Sequence, residues 1–267
     1  VDKWKSSLAL EESVQAIDMR DGKKYWVTKL RDGNVWMTQN LDLDLDPAKP
    51  LTSNDTDLTD HSLTGAYADD YSYDPSTDIT TWTPEIKTID FQNTTVTGWA
   101  NDNSNPYSAS KTDSTETGHA SLGNYYNWTA AIASNNSSSL TQDTLSDISK
   151  NPKNSICPKG WRLPTISGES GTLSGSTNEF ARLNYLYNNN STSTHIGLIN
   201  QPIYFIRGGY ISSSSSSLGN YSVEGLYRSS SLQNASNAYA LDFGNGGTSL
   251  DYPGSRKGGY SIRCVSR

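Results

Sequence analysis

The chain is short of the side chains that most often carry metal or nucleophilic chemistry. Its 267 residues include only two cysteines, two methionines and three histidines. His61, His119 and His195 stand in separate polar stretches, so no His-x-x-x-His or Cys-x-x-Cys pair preassembles a zinc site. The sequence also lacks a Walker loop, a dinucleotide glycine fingerprint and a Gly-x-Ser-x-Gly nucleophile elbow. These absences argue against zinc-dependent, nucleotide-dependent and serine-hydrolase chemistry.

Charge and long apolar runs are also scarce. Charged residues make up 18% of the chain and leave a formal net charge of −7. Because such a protein is poorly suited to bind phosphate backbones, we expect no nucleic-acid partner. No run of about 18 apolar residues is present, so the sequence predicts no membrane span. The first residues lack the basic start and apolar middle of a signal peptide, which favours a processed or trimmed soluble form.

Aromatic and small polar residues dominate what is present. Seven Trp and sixteen Tyr supplement a hydrophobic content of 33% and predict a core rich in aromatic rings. Ser, Thr and Asn fill the loops while Lys is scarce, so we expect an extracellular or cell-surface location. Cys157 and Cys264 lie far apart in the chain and fit either two buried thiols or one disulfide in an oxidising compartment.

The N-terminal part of the chain combines a helical pattern with hairpin signals. Residues 1–17 place apolar side chains at roughly helical spacing, which predicts a short amphipathic helix or a linker to an absent assembly segment. Asp21-Gly22 and Asp32-Gly33 interrupt strand-like runs and predict hairpin turns. In residues 40–46 three leucines alternate with three aspartates, which predicts a half-buried strand.

The remainder of the chain predicts a segregated order of elements. Residues 47–118 are polar and broken by prolines, which indicates a mostly irregular insertion. Residues 121–133 have a helix-compatible pattern, and a second helix is predicted from Ser176, where "STNE" matches a capping box. From residue 199 onward, short strand-like runs alternate with Gly, Ser and Asn turns and predict an antiparallel sheet. We therefore expect an α+β fold.

Acidic clusters give the only signal for a metal. Calcium prefers several oxygen ligands, and "DLDLD" offers Asp42, Asp44 and Asp46. The same alternation fits the solvated face of a strand, and Pro47 stands where a calcium loop would have glycine. We keep calcium as a candidate cofactor beside this simpler interpretation.

A tyrosine-rich C-terminal region provides the candidate binding surface. Tyr offers rigid contact area at low entropic cost, and Ser and Asn adapt their hydrogen bonds to a ligand. We expect about half of these tyrosines in the core, because Tyr also fills apolar interiors. The candidate ligand-binding residues are Tyr210, Tyr221, Tyr227, Arg228, Tyr239 and Tyr252.

Six sequence blocks in a fixed order resemble a known family. They are "DGKKYWVTKLRDGNVWMTQNL", "GNYYNWTAA", "SICPKGWRLPT", "EFARL", "LYRSSS" and "GYSIRCV". Together they span nearly all of residues 18–265, and the chain resembles the Fibrobacter succinogenes major paralogous domain family of bacterial surface proteins. The resemblance implies a C-type-lectin-like fold over residues 18–267, with two helices, a twisted antiparallel sheet, long irregular loops and the insertion at 47–118.

Departures from the family pattern bear on the cysteines and on activity. Many relatives have a cysteine in the "GNCWM" block that pairs near the N-terminus, whereas this chain has Val35 and no N-terminal cysteine. Since both ends of that bridge are missing, the resemblance implies that Cys157 and Cys264 bond to each other. Ile203 follows Gln201-Pro202, so the calcium-dependent sugar motif of animal C-type lectins is missing. The catalytic cysteine pair of formylglycine-generating enzymes has no counterpart here.

The resemblance implies a non-catalytic, secreted bacterial surface protein that binds a protein or glycan through its C-terminal loops. We expect no required cofactor. Two alternatives stay open. In the first, the chain is a subunit of a pilus or other extracellular filament and self-associates through residues 1–17. In the second, it is a polysaccharide-acting enzyme that uses two of its many carboxylates.

Overall fold

The structure is a computed structural model. It describes residues 2–18, 22–43, 51–52, 81–82, 86–89, 108–111, 122–132, 155–158, 160–166, 178–191, 194–215, 217–234, 236–244 and 246–266. The helices in these ranges are α1 (Asp2–Ser7), α2 (Trp128–Ala131), α3 (Glu179–Tyr187) and α4 (Ile196–Ile199). Short helices and mostly antiparallel strands confirm the α+β class.

The strands of the described residues form several small sheets. They are β1 (Ser13–Ile17), β2 (Lys24–Lys29), β3 (Val35–Met37), β4 (Leu51–Thr52), β5 (Thr81–Trp82), β6 (Ile86–Ile89), β7 (Ser108–Lys111), β8 (Tyr125–Tyr126), β9 (Trp161–Arg162), β10 (Tyr210–Ile211), β11 (Leu218–Gly219), β12 (Glu224–Leu232), β13 (Asn237–Gly244), β14 (Gly247–Ser255) and β15 (Val265–Ser266). Five of them form a sheet in the order β1-β2-β3-β15-β9, and three form a sheet in the order β12-β13-β14.

The N-terminal helix is shorter than predicted. α1 ends at Ser7, and β1 pairs antiparallel with β2, with Ile17 opposite Lys24. The prediction of one helix over residues 1–17 is therefore wrong in its second half. The strand buries Ala16 and leaves Ile17 37% exposed, so the apolar residues follow a period of two rather than 3.6. β2 and β3 pair around the turn at Asp32-Gly33, which confirms that hairpin.

Residues 40–46 are only partly described. Leu41 and Leu43 are buried, as their alternation with aspartate predicts, but residues 41–43 form no assigned strand. Instead the backbone amide of Leu41 donates to the carbonyl of Ile262 at 3.0 Å. Residues 44–46 lie outside the described residues, so the rest of the predicted strand stays a prediction.

The two predicted core helices exist but have different bounds. α2 is a single turn, because Tyr125 and Tyr126 form β8 where the helix was expected. α3 is capped by Asn178, whose side chain accepts from the amide of Ala181. Ser176, the predicted cap, lies outside the described residues. Asparagine and serine are equally good N-cap residues. Here the residue directly before the helix, Asn178, provides the cap.

Most of the insertion at 47–118 also lies outside the described residues. Its described parts are the short strands β4 to β7. β6 and β7 pair in parallel, and β7 pairs antiparallel with β8, which joins this region to the core segment around Tyr125. The insertion therefore contains some regular pairing beyond the irregular structure that was predicted.

A disulfide lies in the first of two large hydrophobic cores that the described residues form. Cys157 and Cys264 are bonded, which confirms the predicted pair. Trp161 and Leu163 are buried in the same core. Because Cys264 immediately precedes β15, the bond fixes this central strand to the loop before β9.

The second core lies between the five-stranded and three-stranded sheets. From the five-stranded sheet it receives Trp36 and Val265, which are opposite each other in register. The inner face of the three-stranded sheet contributes Leu241 and Phe243, and α3 contributes Phe180 among others. Because this inner face is buried, the opposite, outer face of the three-stranded sheet is the face directed toward solvent.

Candidate functional site

The outer face of the three-stranded sheet carries the candidate site at one end. In the ladder, Leu226 is opposite Asp242, and Ala240 is opposite Tyr252. Side chains two residues apart share a face, so Glu224 lies on this face as well. Leu226 and Ala240 are buried, whereas Glu224, Asp242 and Tyr252 are partly exposed. Polar groups therefore surround a small apolar floor whose residues are themselves shielded from solvent.

Two tyrosines from outside the sheet complete this surface. Tyr260 is buried against Leu226 and Ala240, and Tyr210 and Tyr252 pack against the same group while remaining partly exposed. The rings of Tyr210 and Tyr260 meet edge to face with centroids 6.2 Å apart. We call the four partly exposed residues, Tyr210, Glu224, Asp242 and Tyr252, the tyrosine–carboxylate cluster.

Backbone geometry fixes Tyr210 beside the sheet. The amide of the preceding Gly209 donates to the carbonyl of Glu224 at 2.7 Å. Gly209 has a φ of +71°, and a Cβ there would come within 2.3 Å of the carbonyl oxygen of Gly219, so only glycine fits. Tyr210 itself pairs with Gly219 between β10 and β11. The backbone that carries Tyr210 is thus held by strands on two sides.

Tyr260 is fixed by a buried arginine. Its backbone exchanges two hydrogen bonds with Tyr126, at 2.9 and 3.0 Å. The guanidinium of Arg228 stacks on its ring, 3.8 Å from the centroid, and donates to the carbonyls of Ser255 and Gly258. Burial lowers the pKa of Arg228 to about 10 and raises the pKa of Tyr260 to about 12. Both groups keep their ordinary charge at neutral pH and support the floor of the site.

The charge of one carboxylate in the cluster affects the other. Burial first, and then the charge of Glu224, raises the pKa of the Asp242 carboxyl to about 6. The pKa of Tyr252 is raised by burial and then by Asp242, Tyr210 and Glu224. Glu224 accepts a hydrogen bond from the side-chain amide of Asn220 at 2.7 Å. The cluster is therefore one electrostatically connected group.

Asp242→Asn is expected to raise the free energy of unfolding by about 1 kcal/mol at pH 7. The pKa of Asp242 in the folded protein lies above its ordinary value of 3.8, so wild-type stability falls as pH rises from about 4 to about 6. For a fully buried carboxyl this change corresponds to about 3 kcal/mol, and partial exposure reduces it to about 1. Urea unfolding at pH 4 and pH 7 measures the effect. An identical pH dependence in both proteins would contradict this assignment.

The predicted ligand-binding residues separate into surface and core. Tyr210 and Tyr252 are brought together in the cluster, and Tyr221 is 43% exposed on the turn before β12. Tyr227 and Arg228 are fully buried, so the structure corrects their placement at a binding surface. Tyr227 packs in the second core, where its hydroxyl donates to the carbonyl of Ile206 at 3.1 Å.

Tyr239 completes the comparison. It lies partly buried against the second core, on the inner face of the sheet. It is therefore separated from the cluster by the thickness of the sheet.

The sequence reasoning missed Glu224, Asp242 and Tyr260 as members of the site. Asp242 did give a signal, because it is a lone carboxylate between Leu241 and Phe243 in a strand that is otherwise largely apolar.

The calcium prediction is only partly covered by the structure. Asp42 forms an ion pair with Lys23 at 3.3 Å, while Asp44 and Asp46 lie outside the described residues. In the part of the chain that the structure describes, no three His, Cys, Asp or Glu side chains are grouped so as to hold a metal. Calcium binding at these aspartates stays a prediction.

The chain was also compared with known proteins. It matches no protein-family model, no curated protein and no solved structure. Within the described ranges no helix is both long enough and apolar enough to cross a membrane. The class that the structure defines is thus an α+β protein with a disulfide and an exposed cluster of tyrosines and carboxylates.

Proposed function

We propose that this protein is a non-catalytic, secreted bacterial cell-surface protein that binds a ligand on a cell surface. The tyrosine–carboxylate cluster is the observation that carries the proposal. It sets two partly exposed aromatic rings beside two carboxylates on one face of a sheet, an arrangement suited to contact a ligand with both apolar and polar parts. The proposal includes the C-type-lectin-like fold implied by the sequence resemblance.

Rigidity of the cluster supports binding. Glu224, Asp242 and Tyr252 stand on paired strands, and Tyr210 is held by β11 and by Gly209. Groups on paired strands lose little conformational freedom when a ligand arrives, so more of the contact energy appears as affinity. The disulfide suits an oxidising location outside the cytoplasm.

Tyr252→Ala is expected to weaken binding to cell surfaces about tenfold. Loss of one central aromatic contact in an interface costs roughly 1 to 2 kcal/mol, and 1.4 kcal/mol corresponds to a factor of ten. Flow cytometry of intact bacterial cells incubated with fluorescently labelled protein measures the apparent affinity. Tyr185→Ala, a partly exposed tyrosine on α3, is the matched control and should bind like wild type.

Equal binding by the Tyr252 and Tyr185 variants would place the binding surface elsewhere. Light scattering on the same preparation tests the filament alternative, because polymers in place of a persistent monomer would favour a structural subunit. Saturable binding by a monomer would favour the proposal.

Polysaccharide hydrolysis is the second candidate because one feature of the cluster favours it. Glu224 and Asp242 are diagonal neighbours in the ladder, a relation that places side chains about 7 to 8 Å apart. Inverting glycosidases use carboxyls roughly 6.5 to 9.5 Å apart, and a raised pKa suits a general acid. We prefer binding, because both carboxylates stand on a partly exposed sheet face. Release of reducing ends from polysaccharide that is lost in Asp242→Asn would favour the enzyme.

A further inference from the structure

His195, the residue directly before α4, connects three parts of the fold through its side chain. Nη2 of Arg207, in the segment before β10, lies 2.6 Å from Nε2 of the ring. Nδ1 of the ring lies 3.4 Å from Oγ1 of Thr248, near the start of β14. The ring also packs against that of Phe243 on β13, with centroids 5.4 Å apart. The imidazole therefore joins the start of α4 to the three-stranded sheet and to Arg207.

The contact with arginine fixes the protonation state of the imidazole. A guanidinium has N–H donors and no acceptor, so Nε2 of His195 must accept the hydrogen bond from Arg207 and cannot carry a proton itself. The single proton of the neutral ring then lies on Nδ1, directed at the hydroxyl of Thr248. This geometry requires a neutral histidine, because a second proton would set two cations in direct contact.

The surroundings of His195 also oppose its protonation. Burial first, and then the positive charge of Arg207, lowers the pKa of His195 below its ordinary value of 6.5. None of the other charged groups on the neighbouring elements that the structure describes forms a hydrogen bond or an ion pair with the ring. They are Glu179 and Arg182 on α3, Glu224 and Arg228 on β12, Asp242 on β13 and Asp251 on β14.

The first half of α4 depends on the His195 ring for its position. The helix has only four residues, Ile196–Ile199, too few to be stable without contacts to the rest of the protein. Leu198 is buried in the second core, whereas Ile196 is 56% exposed. Apolar anchoring is therefore concentrated away from the start of the helix. The amide of Leu198 donates to the carbonyl of His195 at 2.9 Å, so its exchange with solvent reports on this turn.

We propose that His195 is an acid-sensitive latch, which holds the start of α4 to Arg207 and the three-stranded sheet at neutral pH and releases it when the ring is protonated. A proton on Nε2 faces the donors of Arg207, so the two side chains must separate. A folded pKa below 6.5 gives the sign, because the unfolded chain then binds the proton more readily than the latched one. The stabilisation is fully present above about pH 6.5 and is lost as pH falls through that value. This device is additional to the proposed binding function and does not depend on it.

Hydrogen exchange of the Leu198 amide, followed by NMR on the whole protein, tests the latch. Its protection relative to an unstructured peptide at the same pH should fall about tenfold between pH 7.5 and pH 5, the scale of a like-charge contact at a partly exposed site. His195→Gln should abolish this fall, because the amide oxygen of glutamine can accept from Arg207 and does not titrate. His195→Ala should give the low protection at both pH values. Amides of β2, in the other sheet, should keep their protection and so exclude global unfolding.

The ring nitrogens of His195 give an independent measurement. Nitrogen NMR should find the proton of the neutral ring on Nδ1 and a pKa below 6.5. Arg207→Gln removes the neighbouring charge and should raise the pKa of His195 toward 6.5. Arg182→Gln, the same change of charge at an exposed position of α3, should leave that pKa as in wild type.

Two results would overturn the latch. One is a neutral ring with its proton on Nε2, and the other is an equal loss of Leu198 protection in wild type and in His195→Gln. Titration of Asp242, with a pKa of about 6, does not confuse the comparison, because His195→Gln retains that carboxyl.

Discussion

Replacing Cys157 and Cys264 together by alanine is expected to lower the free energy of unfolding by about 4 kcal/mol. The bond joins residues 107 positions apart, and closing a loop of this size restricts the unfolded chain strongly. The loss should be large relative to a total stability on the order of 10 kcal/mol. Guanidinium unfolding followed by tryptophan fluorescence measures the change.

Chemical reduction provides the control for the disulfide variant. A reducing agent should destabilise the wild-type protein by a similar amount and leave the double variant unchanged. If oxidised wild type and variant unfold at the same denaturant concentration, the loop-closure explanation is wrong. A difference that persists after reduction would instead reflect lost packing, since both sulfur atoms are in the first core.

Arg263→Ala is expected to cost about 4 kcal/mol of stability. The side chain is fully buried and donates hydrogen bonds to the side chain of Asn40 and to the carbonyls of Met37, Ile203 and Tyr204. Truncation leaves these buried acceptors without donors and opens a cavity, and each unpaired group costs roughly 1 to 3 kcal/mol. The partners come from two segments, residues 37–40 and 203–204, so the guanidinium joins parts of the chain that no strand pairing among the described residues connects directly.

Arg182→Ala is the matched control for Arg263. Arg182 is exposed on α3, and its loss should change stability by no more than about 0.5 kcal/mol. Arg263→Lys keeps the charge but reaches fewer acceptors than the planar guanidinium, so an intermediate loss is expected. A cost below about 1 kcal/mol for Arg263→Ala would show that water replaces the guanidinium, which full burial argues against.

Features that depend on neighbouring residues could be predicted from the sequence. Asp32-Gly33 specifies a turn because glycine there adopts a φ of +86° without strain. α3 was predicted from the capping box that begins at Ser176, and its residues Phe180 and Leu183 are both buried. Even these local signals did not determine the first residue of α3, because Asn178 and Ser176 are chemically equally good N-caps.

Features that depend on long-range pairing could not be predicted. The cluster needs the register that sets Leu226 opposite Asp242, and it needs the segment of Tyr260 to lie across the same face. Neither relation has a local signal. The tyrosines show the same limit, because Tyr227 and Tyr252 stand in similar polar surroundings in the sequence. Only the packing of the second core distinguishes the buried ring from the partly exposed one.

The N-terminal segment shows how pairing overrides local preference. The spacing of apolar residues in 13–17 fits a helix. In the structure this segment pairs with β2 instead, which places Val14 and Ala16 opposite the buried residues Val27 and Tyr25. A helix of five further residues would gain little by itself, because short helices are marginal in water. The strand is favoured by contacts that the helix cannot make.

The position of β15 has a consequence for biosynthesis. This strand lies between β3 and β9, so the five-stranded sheet cannot be completed before Val265 has left the ribosome. Until then β3 and β9 each lack the strand that lies between them, and unpaired strand edges attract other chains. A nascent chain that lacks β15 is therefore exposed to non-native pairing and suited to capture by a chaperone. Completion of the fold, including closure of the disulfide, is thereby delayed until the chain has been made through residue 266.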